Sequence, residues 1–547
     1  MQTSRLLVFA ALAIGLIPAG ASRAADNATP LRQTIDAQLL AAWTKEKITP
    51  APASSDAAFL RRIYLDLTGV IPTHDQARAF LDDTAPDKRA KLIESLLASP
   101  LYARHQADVW DQVLVGRNPP ESRVRKHDAF VDFLRKSFEA NTPYDKIVAA
   151  MLRAEGNTVD DGAPVYLVQF GRKAEDAIES VTETFLGVQL QCARCHDHPF
   201  EPWKQVEFYE MAAFLSRLEL VTVGKQDQLT KLALGEKSTG DLNFTPAKQQ
   251  MPGKKGTPVS PRFLRGDELK EPELPKDFKE VKFQDNKPPP KPAFSRKEKL
   301  AEWITAKDNP YFARAAVNRI WSQYMGRGIV HPVDNMSTKN KPSHPALLDA
   351  MAQAFVAHEF NVKWLIREIV SSQAYQLAST GEVTEAMPQW FERARVRPLS
   401  AEELVESWRT ATGFDEATRL SGKTKELEKN RFYGLTFDYV DRFFGEPVTG
   451  EGDFQGGLAE HLYLNNGEVT RLIATGKGSL VDALVDPKDE PAAKVDRLFL
   501  SILSRRPSDS EREKFVEYLA GDSGKDTTRL REAMWALMTC SEFRFNH

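Results

Sequence analysis

The chain has 547 residues, of which 42% are hydrophobic and 27% are charged. This length and composition allow a sizeable buried core and more than one domain in a globular protein. The 73 lysines and arginines nearly balance the 76 aspartates and glutamates, and the formal net charge of -3 gives no overall basic field that would indicate nucleic-acid binding.

The first 24 residues have the pattern of a secretory signal peptide. Arg5 precedes the apolar run LLVFAALAIGLIPAG, and the small residues Ser22 and Ala24 follow as a cleavage site would require. The apolar run is shorter than the roughly 20 residues that cross a bilayer, which favours cleavage over retention as an anchor. We therefore expect residues 1–24 to be removed, no membrane span to remain after signal cleavage, and the mature protein to be periplasmic or secreted.

Residues 25–220 are predicted to form a helical domain. Ser55 and Asp56 are good N-cap residues, the apolar residues after them are spaced along one helix face, and Gly69 ends the segment. The same spacing recurs in PDKRAKLIESLLASPLYA and, after Trp203, in KQVEFYEMAAFLSRL.

Residues 221–294 differ in composition and are predicted to be a linker or irregular insert. They contain GKKG and KPPPKP, and their apolar periodicity is weak. Helical spacing returns in residues 295–547, where Ser400 and Glu403 form a predicted capping box. The expected fold class is therefore mostly α, with two helical domains joined by a loop-rich, proline- and lysine-rich segment.

The motif QCARCHDHPF at 191–200 carries the strongest chemical signal. Cys192, Cys195 and His196 form C-x-x-C-H, the attachment pattern of a c-type haem. Thiols three residues apart lie on one side of a helical turn and can form two thioethers with one porphyrin, while the adjacent imidazole reaches the iron. Export supports this interpretation, because haem c is attached after translocation. One covalent haem c is therefore predicted, with His196 as its iron ligand.

Two other chemistries fit the cysteine pair less well. A structural zinc site needs further ligands, and the only other cysteine is Cys540. A disulfide between Cys192 and Cys195 is allowed outside the cytoplasm, but it leaves His196 without a role.

His198 is a further candidate at the cofactor site. On a helix it would point about 200° away from His196, and Pro199 disfavours helix at this position, so it is not expected to bind the same iron. Three roles stay open for His198: a hydrogen bond to a haem propionate, a cap on the local turn, or a polar structural histidine.

The second axial ligand of the iron is open. Met211 is nearest in the sequence, but its position on an apolar helix face favours a core methionine. The other candidates are His105, His127, Met325, His331, Met336 and His344.

In the C-terminal part, Arg314, Asn318, Arg319 and Trp321 lie close together along one predicted helix. They could line a polar or carbohydrate-binding cleft in which Trp321 stacks on a sugar. The favoured alternative is that Trp321 packs in the core while the arginines pair with acidic neighbours.

Several long segments give the chain a family resemblance. They are FLRRIYLDLTGVIPT (59–73), DKRAKLIESLLASPLYA (87–103), residues 185–215 around the C-x-x-C-H motif, residues 301–336, residues 342–379, RPLSAEEL (397–404) and the closing MWALMTCSEFRFNH (534–547). In these segments the chain resembles the planctomycete-type cytochrome family, which pairs an N-terminal cytochrome-like domain with a planctomycete-specific C-terminal domain, both of unknown function.

The resemblance implies an exported haem-linked protein of bacteria that degrade complex polysaccharides. It carries the haem role over to Cys192, Cys195 and His196, and it implies that His198, Pro199, Phe200 and Trp203 shape the pocket. We therefore expect a haem protein that transfers electrons to or from a redox partner protein. The alternatives are a haem-dependent oxidoreductase acting on a carbohydrate or related polymer, and a non-catalytic secreted scaffold with a C-x-x-C disulfide.

Overall fold

The computed structural model describes residues 29–124, 127–226, 229–246, 256–287, 289–381, 387–420, 422, 464, 473, 476–485, 490–520 and 527–547. The predicted signal peptide lies outside the described residues. No helix within the described ranges is long and apolar enough to cross a bilayer.

Helices dominate these ranges, so the predicted mostly-α fold class is confirmed. The helices are α1 (Leu31–Glu46), α2 (Asp56–Thr68), α3 (His74–Asp82), α4 (Lys88–Leu97), α5 (Pro100–Leu114), α6 (Asp128–Glu139), α7 (Tyr144–Arg153), α8 (Val165–Val168), α9 (Ala174–Leu186), α10 (Gln205–Ala212), α11 (Arg296–Ile304), α12 (Phe312–Met325), α13 (Pro345–Ala357), α14 (Val362–Val370), α15 (Ala401–Thr412), α16 (Phe414–Leu420), α17 (Leu480–Leu484), α18 (Pro491–Leu503), α19 (Asp509–Leu519), α20 (Thr528–Thr539) and α21 (Ser541–Arg544). The strands are β1 (Gly156–Asn157), β2 (Leu218–Gln226), β3 (Leu229–Glu236), β4 (Leu242–Phe244), β5 (Thr257–Val259), β6 (Arg397–Pro398) and β7 (Phe545–Asn546).

The helix ends follow the local signals in the sequence. The Ser55 hydroxyl accepts a hydrogen bond from the Ala58 N–H at 3.2 Å, and Gly69 ends α2 with a positive φ of 67°. Ser400 and Glu403 form the predicted capping box at the start of α15. These bonds satisfy backbone groups that a helix end would otherwise leave without partners.

Two apolar cores organise the chain. The larger core takes side chains from both predicted helical segments, from Leu31 in α1 to Phe391 beyond α14, together with Leu500 of α18. It buries Trp321 of α12 completely. The smaller core surrounds Trp408 and Phe499 and also takes Leu65 from α2. The N-terminal and C-terminal segments are therefore packed against each other along their apolar faces.

The segment predicted as a linker or irregular insert is more ordered than expected in its first part. Strands β2 and β3 form an antiparallel hairpin, and β1 adds a third strand in the order β1-β3-β2. Leu220 lies opposite Leu234, and Leu232 and Leu234 are buried in the larger core. Alternate residues of a strand face the same side, and the prolines and lysines that follow the hairpin mask this period-two pattern in the composition of residues 221–294.

The hairpin also holds the start of the C-terminal segment. The buried Glu236 carboxylate accepts hydrogen bonds from the Ser295 hydroxyl and from the backbone N–H groups of Arg296, at 2.7 Å, and Lys297, at 3.2 Å. Residues 221–294 thus contribute to the packing between the two segments instead of only connecting them.

The buried Asn318 side chain holds the turn that follows α12. Its amide donates to the carbonyl oxygens of Val330 at 2.9 Å and Val333 at 3.1 Å, and its oxygen accepts from the Val330 N–H at 2.8 Å. We expect Asn318→Ala to lower the free energy of unfolding by about 2–3 kcal/mol, because it leaves buried backbone groups without partners. Urea denaturation measures this change. The control Lys299→Ala removes an exposed ion pair with Glu302 and should cost less than about 0.5 kcal/mol; an equal loss in both variants would contradict the assigned role of Asn318.

Candidate functional site

The C-x-x-C-H motif lies on a short turn between α9 and α10. Residues Gln191–Arg194 form a single 3-10 turn, which begins after Gly187 has ended α9 with a φ of 66°. Ala193 is completely buried and anchors the turn in the larger core. Cys192 and Cys195 are exposed free thiols on either side of it. Because Ala193 is the buried residue of the turn, both cysteine side chains are left at the surface.

The imidazole of His196 is exposed and oriented by the neighbouring backbone. Its Nδ1 lies 2.8 Å from the carbonyl oxygen of Asp197. In the tautomer that donates this hydrogen bond, Nε2 carries the free lone pair. Metal-binding histidines commonly have this arrangement, since the second-nitrogen bond fixes both the tautomer and the ring orientation. The two thiols and this imidazole fit the donor set of a c-type haem.

His198 makes a different set of contacts. Its Nδ1 accepts hydrogen bonds from the N–H groups of Phe200 at 3.2 Å and Glu201 at 3.0 Å. The backbone N–H of His198 donates to the carbonyl oxygen of Trp203 at 2.8 Å. Of the three roles left open by the sequence, these contacts correspond to a cap on the local turn.

Residues flanking the motif fix the turn to the adjacent helices. The Arg194 guanidinium lies 2.9 Å from Asp176 and 3.2 Å from Glu179, both on α9. The carbonyl oxygen of Arg194 accepts hydrogen bonds from Gln205 and Tyr209 of α10. Burial raises the pKa of the Glu179 carboxyl above its ordinary value, and the nearby Arg194 opposes that shift. The turn is thus held from both sides, as a site that positions a large planar group requires.

A loop of the C-terminal segment packs onto the same turn. Thr338 donates to the Glu201 carboxylate from its N–H at 3.0 Å and from its hydroxyl at 2.7 Å. The Lys339 ammonium lies 4.1 Å from the centre of the Phe200 ring. The motif is therefore in direct contact with the C-terminal half of the chain.

Among the candidates for a second axial ligand, Met336 lies beside the motif. Met336 lies on the loop that carries Thr338, and its backbone N–H donates to the carbonyl oxygen of Gly187 at 2.9 Å. Met211 is completely buried, in agreement with a core methionine, and Met325 is also buried. His105 is packed against Gly69, and burial lowers its pKa to about 4.

The remaining histidine candidates lie elsewhere in the fold. His127 pairs with Asp111 at 2.8 Å, between Nε2 and the carboxylate. His344 packs against the rings of Trp390 and Phe391, and burial lowers its pKa to about 4. His331 precedes Pro332 across a cis peptide bond, and its carbonyl oxygen accepts a hydrogen bond from the Asn340 amide.

Trp321 of α12 does not line a carbohydrate-binding cleft. Trp321 is fully buried and meets the Phe391 ring edge-on at 5.2 Å, so it has no face available for a sugar. Arg314 forms an ion pair with Asp349, and Asn318 is buried. The favoured core interpretation agrees with the structure for Trp321, and the expected pairing of an arginine with an acidic neighbour is present for Arg314. Within the described ranges, no cluster of three or more histidine, cysteine, aspartate or glutamate side chains is arranged to hold a metal ion.

The sequence did not indicate the residues that support the motif. The motif at 191–200 contains Ala193, Arg194 and Asp197, but no sequence pattern assigns them an anchoring role. The contacts of Thr338 and Lys339 connect positions more than 130 residues apart. Periodicity cannot detect such contacts, because it reports only on neighbours within a few turns.

Two family models match the chain. Residues 34–219 match a model described as a protein of unknown function (DUF1549), and residues 296–432 match a model described as a protein of unknown function (DUF1553). The first match contains the whole C-x-x-C-H motif, and the two matches fit the two-domain description drawn from the sequence. No curated protein and no solved structure matches the chain.

Gly187 tests the contact between the motif turn and the C-terminal loop. A Cβ at this position would lie 3.0 Å from Met336 Cγ. The backbone here also has a positive φ of 66°, which residues other than glycine rarely adopt. We expect Gly187→Ala to destabilise the protein by about 2 kcal/mol or more, since both backbone strain and the close contact contribute. Gly171→Ala is the matched control, because Gly171 has a φ of 64° and its Cβ would meet nothing within 4 Å. In chemical denaturation, Gly171→Ala should lower the free energy of unfolding by about 1 kcal/mol. Equal losses in both variants would show that the contact with Met336 does not add to the destabilisation by Gly187→Ala.

Proposed function

We propose that this chain is an exported c-type haem-binding protein whose role is electron transfer. The observation that carries the proposal is the arrangement of Cys192, Cys195 and His196 on one exposed turn, with the His196 ring oriented by the Asp197 carbonyl. The signal-peptide pattern and the family resemblance support it independently of that geometry.

Each residue of the turn has a distinct role in this proposal. The Cys192 and Cys195 sulfurs hold the porphyrin by thioether bonds, and His196 offers Nε2 to the iron. His198 keeps the following turn closed, and the bonds of Arg194 to α9 prevent the turn from shifting when the group is attached. When bound, the haem supplies one-electron redox chemistry, with a potential set by its axial ligands and burial.

The exposed position of the motif suits transfer to a redox partner protein. Phe200, at the end of the motif, is 65% exposed, and the cation of Lys339 lies over its ring. Aromatic side chains are enriched at the centre of protein–protein interfaces. We place the partner's docking surface around these two residues.

A haem-dependent oxidoreductase acting on a carbohydrate or related polymer is the second candidate. It is favoured by the contact between the motif turn and the loop bearing Thr338, which would place a substrate-binding part of the C-terminal half next to the iron. Rapid binding of carbon monoxide by the reduced protein would support this candidate. A spectrum of an iron with two strong axial ligands would support electron transfer.

The covalent attachment can be tested with cysteine variants. Full-length protein, expressed with a haem-attachment system, should keep haem on a denaturing gel. We expect Cys192→Ala and Cys195→Ala each to weaken the haem stain and the double variant to abolish it. Cys540→Ala removes the third cysteine, which lies outside the motif, and should stain like the original protein. An unstained original protein whose mass shows only a bridged cysteine pair would contradict both haem proposals and leave the secreted scaffold.

The two histidines of the motif should respond differently to substitution. His196→Ala removes the nitrogen assigned to the iron, and its absorption spectrum should change while the thioether-bound haem stays attached. His198→Ala removes only the turn cap, so it should keep the spectrum and lose about 1 kcal/mol of stability. Visible absorption spectra and thermal unfolding of both variants measure these effects. A spectral change in His198→Ala alone would reverse the assigned roles.

A further inference from the structure

One residue of α10 holds both ends of the segment that carries Cys195 and His196. The backbone N–H of Gln205 donates to the Asp197 carboxylate at 2.9 Å. The side-chain amide of Gln205 donates to the carbonyl oxygen of Arg194 at 3.1 Å. Arg194 comes directly before Cys195, and Asp197 comes directly after His196. Cys195 and His196 are therefore enclosed between two hydrogen bonds to a single residue.

Gln205 is a firm support for these bonds, because it is 7% exposed and is the first residue of α10. In the next turn of α10, Phe208 is fully buried in the larger core, and the Tyr209 hydroxyl donates to the Arg194 carbonyl oxygen at 3.2 Å. The first N–H groups of a helix find no acceptor within the helix, and its dipole favours negative charge at this end. The Asp197 carboxylate supplies both the acceptor and the charge.

Asp197 contacts His196 as well as Gln205. Its carbonyl oxygen lies 2.8 Å from Nδ1 of the imidazole, while its carboxylate binds the start of α10. Because His196 is exposed, the orientation of its ring depends on this hydrogen bond more than on packing against neighbours. The bond to Gln205 therefore fixes the residue whose carbonyl orients the ring.

The other contacts that hold the turn act on different atoms. The ion pairs of Arg194 lie on the side of α9, and the ring of His198 accepts from backbone N–H groups of the following turn. Neither contact reaches the Asp197 carbonyl directly. Orientation of the His196 ring is thus the property that the bond between Asp197 and Gln205 controls.

We propose that Asp197 is a positioning residue for His196 and that Gln205 anchors it to α10. This inference rests on the proposed haem-binding function, in which Nε2 of His196 binds the iron. Asp197 acts through the imidazole and does not touch the iron. Hydrogen bonds behind a metal-binding histidine typically change metal affinity or activity by about 10–100-fold. Without the bond to Gln205, the ring of His196 turns more freely and leaves the iron more often.

Two substitutions at position 197 test this role in the haem-loaded full-length protein. Asp197→Ala removes the carboxylate, whereas Asp197→Asn keeps an oxygen that accepts from the Gln205 N–H. The His196→Ala protein supplies the reference spectrum of an iron without this ligand. In urea below the unfolding transition, we expect the fraction of ferric protein with that spectrum to rise about tenfold or more in Asp197→Ala. Asp197→Asn should resemble the original protein.

Ser55→Ala is the control for a general loss of stability. It also removes an oxygen that accepts an N–H near a helix start, since the Ser55 hydroxyl accepts from Ala58 in α2. We expect both alanine variants to unfold at a lower urea concentration than the original protein, and only Asp197→Ala to lose His196 from the iron. Equal detachment of His196 in the two alanine variants, or in Asp197→Ala and Asp197→Asn, would overturn the positioning role.

Failure of this inference can be distinguished from failure of the proposed function. A haem-loaded protein in which Asp197→Ala keeps His196 on the iron as firmly as the original protein would overturn this inference alone. A colourless original protein would overturn the proposed function, and with it any role of Asp197 toward iron. Urea unfolding of the haem-free chain still tests the bond to Gln205, because Asp197→Ala should then unfold before Asp197→Asn. Equal midpoints would show that this bond does not hold the turn.

Discussion

The packing of both halves of the chain into one large apolar core is the constraint on which the other features of this structure depend. Helices from α1 to α14 contribute to that core, and the hairpin of β2 and β3 closes it from the side. Because the two halves share this interior, loops far apart in the sequence are brought together at its surface. The cysteine motif and the loop bearing Thr338 both lie where the halves meet.

Charged groups buried between the halves make this packing specific. Asp66 of α2 pairs with Arg397 of β6, and Arg397 also pairs with Glu403 at the start of α15. Burial raises the pKa of Asp66, whereas in Glu403 the attraction of Arg397 overcomes the effect of burial and lowers the pKa. Removing one member of such a buried group costs about 3–5 kcal/mol, since the remaining charge is left without compensation. Displacing α2, β6 or α15 relative to the others would therefore leave a buried charge without its partner.

The motif turn combines a fixed backbone with exposed reactive atoms. Its backbone is held by the burial of Ala193, by the ion pairs of Arg194 and by the ring of His198, while the two thiols and the His196 ring face outward. If the turn had to become ordered when the cofactor binds, the entropy cost of ordering its backbone would weaken binding. A turn whose backbone is already held avoids this cost. This physical property agrees with the proposed attachment of a rigid, planar group.

The sequence by itself determined the features that depend on neighbouring residues. These are the mostly-α class, the capped starts of α2 and α15, and the C-x-x-C-H spacing. Each follows from residues that are close together in the sequence. Only the tertiary structure decided that part of the predicted linker is a hairpin, that Trp321 is buried, and that the loop bearing Thr338 and Lys339 contacts the motif turn. The physical reason is that a helix or turn obtains its hydrogen bonds locally, whereas burial and ion pairing between the halves depend on the path of the whole chain.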